Sequence, residues 1–225
     1  MRVRYLRHEI SEMDPGTLAN VITIVVHGTE ARDGDAGALL LALCLALADE
    51  ESAAVREAVI RVAVAQGHHA TAELLQPRPP ERLADDTAAV PDFGRGRSLT
   101  LGERKSLART RNRDVLARVL RDPHPDVIRI VLGNPCLTER DIIRLCARRP
   151  IAPEVLREVF RNTRWIVRYD VRKAIVKNPF TPVDVGLQLA AHLNAPDARD
   201  IVASPELARA VRDACRRVAG IATLH

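Results

Sequence analysis

The sequence is poor in aromatic residues, poor in lysine, and has no paired cysteines. Aromatics make up 3% of the 225 residues, so Leu, Val, Ile and Ala must fill the interior. Such an interior suits short helices packed on one another and not a β-sandwich, whose strands draw on Thr, Tyr and Phe. Cys44, Cys136, Cys146 and Cys215 form no CxxC pair, and structural zinc needs thiolates at close spacing. They read as small buried thiols of a reducing compartment. The most apolar run covers residues 36–48, short of the ~20 residues that a bilayer crossing needs. The charged first eight residues lead into no apolar signal core. The expectation is a soluble, cytoplasmic protein with no membrane span.

Signatures of catalysis are missing too. There is no Gly-rich phosphate loop, no G-x-S-x-G and no H-E-x-x-H. His68 and His69 are adjacent and point in different directions on a helix, a poor arrangement for paired ligation, and neither His124 nor His192 has a carboxylate or cysteine at a convincing spacing. Glu154 with Glu158, and Asp197 with Asp200, fall on single helix faces among arginines, where ordinary ion pairing explains them. Neither Ser106 nor Thr110 has a histidine at a telling spacing. The expectation is a non-enzyme with no catalytic residue, no metal and no cofactor.

What the chain does have is arginine, unevenly spread. Residues 1–98 hold 10 Arg against 15 Asp+Glu, a net of −5, and residues 99–225 hold 24 Lys+Arg against 14 Asp+Glu, a net of +10. Only Lys105, Lys173 and Lys177 are lysines. Such asymmetry can mark a polyanion-binding half. A GC-rich genome that writes Arg for Lys everywhere is the duller source.

The chain also repeats itself. Val115–Asp122 (VLARVLRD) returns as Val155–Asn162 (VLREVFRN), an offset of 40 residues. Asp126–Pro135 (DVIRIVLGNP) returns as Asp170–Pro179 (DVRKAIVKNP), an offset of 44. The second copy therefore carries four extra residues before Asp170, around Trp165.

Taken in order, residues 1–13 are ambiguous. Asp14-Pro15 then reads as an N-cap with proline in the first turn, opening a helix that ends near Gly28. Asp35 is placed to cap an all-round apolar helix over 36–48, central to its module. A third helix runs from Asp49 to Gly67, and a short piece over 70–75 closes an N-terminal helical module, residues 1–76. Pro77, Pro79, Pro80, Pro91, Gly94 and Gly96 mark 77–98 as a linker. From Leu99 on, helices of about ten residues are stopped by proline-bearing turns. Thr181-Pro182 and Ser204-Pro205 are placed to cap the helices that follow. Helices this short bury an apolar face only by stacking with neighbours. Val127, Ile130 and Val131, and likewise Val167, Val171, Ala174 and Ile175, are expected to point inward. The fold class expected is all-α: the helical module, then an α-solenoid over 99–225.

Asn134-Pro135, Ala152-Pro153-Glu154-Val155-Leu156, Asp170-Val171-Arg172, Asn178-Pro179-Phe180-Thr181-Pro182 and Ser204-Pro205-Glu206-Leu207 carry a resemblance. The pattern resembles the leucine-rich repeat variant and HEAT-like α-solenoids of bacteria, over roughly residues 100–218. The resemblance implies a stack of short helices that serves as a binding surface. The repeat-variant family can carry a cysteine cluster for iron–sulfur binding beside its repeats. This chain has no such cluster, so no cofactor is carried over.

Arg164, Arg168 and Arg172 recur every fourth residue, so they line one side of a helix. Trp165, the only tryptophan, and Tyr169 lie beside them. Arginine forks with aromatic faces suit phosphates, unpaired bases or an acidic partner helix. The same residues read equally as a second packing face with the arginine stems laid beside it. Arg144 and Arg148 extend the surface if adjacent repeats align. The tentative partner-binding set is Arg144, Arg148, Arg164, Trp165, Arg168, Tyr169 and Arg172. The reading is a protein–protein interaction scaffold that presents a basic surface. The competing reading is nucleic-acid binding, in its extreme form a HEAT-like enzyme that excises alkylated purines, with Asp170 beside Tyr169 and Trp165.

Overall fold

The computed structural model describes residues 3–83, 90–93 and 96–221. Those residues form fifteen α-helices and no strand. They fall into two compact units, one of residues 1–79 with 183–225 and one of residues 80–182.

The first unit opens with α1 (Val3–Glu12), α2 (Pro15–Glu30), α3 (Gly34–Leu47), α4 (Ala53–Ala65) and α5 (His69–Leu75). Asp14 accepts from Thr17 N, with Pro15 in the first turn, as its sequence requires. α2 continues past Gly28 to Glu30. Asp33, not Asp35, caps α3, accepting from the amides of Asp35 and Ala36. α3 is buried continuously from Leu40 to Leu47, and α1, α2 and α4 pack around it. From Leu40 on no side of this helix is polar, because none of that stretch faces water.

Three further helices complete this unit: α13 (Val183–Ala190), α14 (Ala195–Val202) and α15 (Arg209–Ala219). Every residue of α13 is buried. It packs on α3, α5 and α15, and Gln188 donates to Leu74 O at 2.8 Å. The expected repeat domain, 99–225, includes 183–225. Residues 183–221 pack instead with the N-terminal helices, because every residue of α13 is buried, Asp184 and Gln188 included, and it needs neighbours on all sides. Ser204-Pro205 caps no helix: the Ser204 hydroxyl donates back to Asp200 O, and α15 starts at Arg209 after Ala208.

The second unit holds α6 (Leu101–Leu107), α7 (Arg113–Val119), α8 (Pro125–Leu132), α9 (Glu139–Ala147), α10 (Pro153–Arg161), α11 (Thr163–Ile166) and α12 (Tyr169–Val176). The described parts of the 77–98 stretch contain no helix, and residues 84–89, 94 and 95 lie outside the described set. α7 and α10 are the 40-residue copies, and α8 and α12 the 44-residue copies. α11 is the four-residue surplus. Within a copy, α8 packs on α6 and α12 on α9; between copies, α10 packs on α8.

A duplicated asparagine bracket ties each copy together. Asn134 donates through Nδ2 to Ala108 O (3.0 Å) and Thr110 O (2.8 Å), while its Oδ1 accepts from Cys136 N. Asn178 donates to Cys146 O (2.7 Å) and Arg148 O (2.9 Å) and accepts from Phe180 N. Both side chains are buried. Each closes the C-terminal end of the helix that opens its copy, where orphaned carbonyls need donors.

Candidate functional site

Short helices create many helix ends, and each end leaves carbonyls without an intrahelical donor. In the second unit arginines fill that need. Arg148 donates to Leu120 O (3.1 Å), Arg172 to Ile166 O and Val167 O (3.1 and 2.9 Å), and Arg164 to Asn134 O (3.2 Å) and Leu137 O (3.5 Å). Arg113 reaches Cys136 O as well as the Asp141 carboxylate. Burial, with Arg121 nearby, lowers the pKa of Arg148 against the opposing pull of Asp122. Burial lowers Arg172 too, with Tyr169 opposing.

The sequence-derived site residues are thereby redistributed. The 161–177 segment is not one helix: it breaks between α11 and α12, and Arg168 stands at the break as the N-cap residue of α12. The four-residue recurrence of Arg164, Arg168 and Arg172 therefore does not make a stripe. Trp165 is 4% exposed, and its Nε1 donates to Leu132 O at 2.8 Å. The Arg164 guanidinium lies 4.3 Å from the Trp165 ring centroid. The surplus turn thus plugs the C-terminal end of α8. Val167, expected inside, is 47% exposed because it sits in the break. Tyr169 is half-buried, with the Arg172 guanidinium 5.8 Å from its ring centroid. Arg144 and Arg168 are exposed, and Arg168 pairs loosely with Glu139 at 3.9 Å.

What α9 and α12 do form together is a groove of about 420 Å³. One wall is the Ile143/Ala147 stripe of α9. The other is Asp170, Lys173, Ala174 and Lys177, the i, i+3, i+4, i+7 positions of one face of α12. Arg149 and Asn178 close one end, with Arg149 donating to Lys177 O. The floor is aliphatic. The rim carries Arg149, Lys173 and Lys177 against the single carboxylate of Asp170.

The matching place in the first copy carries different side chains. The 38-residue offset that relates Ala108 and Thr110 to Cys146 and Arg148 places Lys105 where Ile143 stands. Asp126 matches Asp170 and Arg129 matches Lys173. Lys105 Nζ lies 2.7 Å from Asp126, and Arg129 reaches Glu158 at 2.8 Å. Lys105 and Arg129 hold the Asp126 carboxyl below its ordinary range. The first copy thus sets a lysine against Asp126 where the second copy sets Ile143 near Asp170. Sequence reasoning missed Ile143, Ala147, Lys173 and Lys177. The signal lay in the comparison of copies: two of the three lysines fall on one face of α12, and Ile143 stands where the first copy has Lys105.

Three of the four cysteines, Cys44, Cys146 and Cys215, are buried thiols. Burial pushes Cys44 and Cys215 up to about 12, and Cys146 higher, so the thiolate form that reacts is suppressed. No group of three His, Cys, Asp or Glu side chains suited to a metal ion occurs among the described residues. No helix among them is long and apolar enough to cross a membrane. Compared with family models, curated proteins and solved structures, the chain matches none of them.

Proposed function

We propose that the second unit is a short α-solenoid that works as a protein-interaction module. Its partner is an acidic, amphipathic segment laid into the α9–α12 groove. One observation carries this reading: a groove lined by the aliphatic Ile143, Ala147 and Ala174 together with Arg149, Lys173 and Lys177. A helix with apolar anchors at i and i+4 and acids beside them complements such a groove. The unit carries 22 Lys+Arg against 13 Asp+Glu, a net of +9, whereas the other unit has a net of −4. That field draws an acidic partner in and fixes its register. The duplicated asparagine bracket supports the repeat reading.

Nucleic-acid binding is the second reading, favoured by the same net charge. Against it, the one tryptophan is spent on Leu132 O, and the arginines near it face main-chain carbonyls. The test is fluorescence anisotropy with a labelled acidic amphipathic peptide of about twelve residues, beside labelled single- and double-stranded DNA. The expected result is saturable peptide binding that drops at least ~tenfold in K173E/K177E, as the loss of charge-assisted contacts implies. Binding of DNA alone, with a steep salt dependence, would overturn the proposal in favour of the second reading.

A further inference from the structure

A second cavity lies wholly within the first unit. It is a cleft of about 250 Å³ between α2, α3, α5, α13 and α15. Its walls are aliphatic, led by Val26, Leu40, Leu74, Leu187 and Val218. Its charged residues are three: Glu30, Arg32 and Arg217.

Arg32 is the only non-glycine residue with a positive φ among the described residues, at +67°. A side chain in the left-handed region costs about 1–2 kcal/mol, and the fold holds it there by both ends. The Arg32 amide donates to Thr29 O, and its guanidinium donates to Leu193 O at 3.3 Å and to Val218 O. Those two carbonyls belong to the turn after α13 and to α15, so the cation is fixed at the cleft by the chain's C-terminal helices. Arg217, on α15, pairs with Glu30 at 3.6 Å, and both side chains remain about half exposed. Such a pair is loose and exchangeable. The charged end of the cleft is net positive, two guanidiniums to one carboxylate.

From this geometry we infer that the cleft is a binding site for a small apolar carboxylate, with its hydrocarbon among the aliphatic walls and its carboxylate toward Arg32 and Arg217. A dry apolar cavity of about 150 Å³ takes benzene. The present volume therefore takes a molecule somewhat larger, such as an eight-carbon chain or a phenylpropanoate. Drug-sized ligands need about 300–1,000 Å³ and exceed it. The pre-fixed Arg32 loses little freedom on engaging an anion, and so favours affinity. The apolar contacts supply the binding energy and the arginines the choice of head group.

The test uses the full chain and three probes with one hydrocarbon tail: octanoate, octanol and octylamine, measured by calorimetry or methyl-detected NMR. Octanoate is expected to bind saturably, at least ~tenfold tighter than octylamine, a margin of ~1.4 kcal/mol. Arg217→Gln, at an exposed position, is expected to weaken octanoate about tenfold and leave octanol unchanged, since only one charge-assisted contact goes. Ala191→Phe, which fills the cleft, should abolish binding of all three. Arg217→Gln leaves the test decisive even where Ala191→Phe does not fold. No saturable octanoate binding, octanol or octylamine binding as tightly as octanoate, or an unchanged affinity in Arg217→Gln would each overturn the assignment.

Discussion

At the scale of single residues, arginine is this chain's structural donor. A guanidinium offers five N–H groups in a rigid fork, and helices of seven to nine residues expose carbonyls faster than caps can serve them. Arg104 shows the same economy against a carboxylate. Its Nη1 lies 2.7 and 2.8 Å from the two oxygens of Asp122, which is fully buried and also accepts from His124 N. This pair links α6 to the turn that precedes α8. Removing one partner of a buried pair strands the other charge and costs about 3–5 kcal/mol, whereas replacing both with apolar residues costs far less. Asp122→Ala is therefore expected to lose that amount in denaturant melts, and Arg104→Met with Asp122→Leu to recover most of it. Equal losses in the single and double variants would show that the main-chain bond to His124, and not the ion pair, carries the effect.

At the scale of elements, the duplication in 115–179 was legible in the sequence, because helix-period apolar positions and Asn-Pro stops recur together. Both asparagines proved to be brackets and not mere punctuation. The surplus turn was legible as four extra residues, but its use was not. Trp165 looks like a contact residue only while 161–177 is taken as one helix; the break at Val167–Arg168 turns the indole onto Leu132 O, and no local propensity marks that break. The α9–α12 groove was illegible for a related reason: its two walls are 23 residues or more apart in sequence. Close helix approach was illegible as well. Gly186 of α13 sits so near α15 that a Cβ would lie 2.8 Å from Val211 Cγ2. Gly186→Ala is expected to destabilise by about 1–3 kcal/mol through overpacking, against the small gain an exposed helical site would give. Val211→Ala in the same chain should relieve much of that penalty. A neutral or stabilising Gly186→Ala in thermal melts would mean that α13 and α15 shift apart at little cost.

At the scale of the whole molecule, the two units differ in sequence continuity. The second is one stretch, 80–182, set inside the first. The chain leaves and re-enters each unit at adjacent points. Arg78 N donates to Asp184 Oδ1 at 3.3 Å in the first unit, and Arg82 N donates to Pro179 O at 3.3 Å in the second. Domains inserted in this way are tolerated where the host's ends already lie together. The division by charge follows the same line, with the net +9 confined to the insert. Two deletions separate this organisation from a linear one. Joining residue 79 to residue 183 through a short Gly-Ser bridge is expected to give a folded first unit with a cooperative melt, because α13 keeps its partners α3, α5 and α15. A fragment of 99–225 is expected to melt without cooperativity beyond its repeats, because α13 would lose α3 and α5 and expose Val185, Leu187 and Leu189. Circular dichroism and amide exchange read both. If the 99–225 fragment protected the α13 amides as well as the full chain does while the joined variant did not fold, residues 183–225 would belong with the repeats after all.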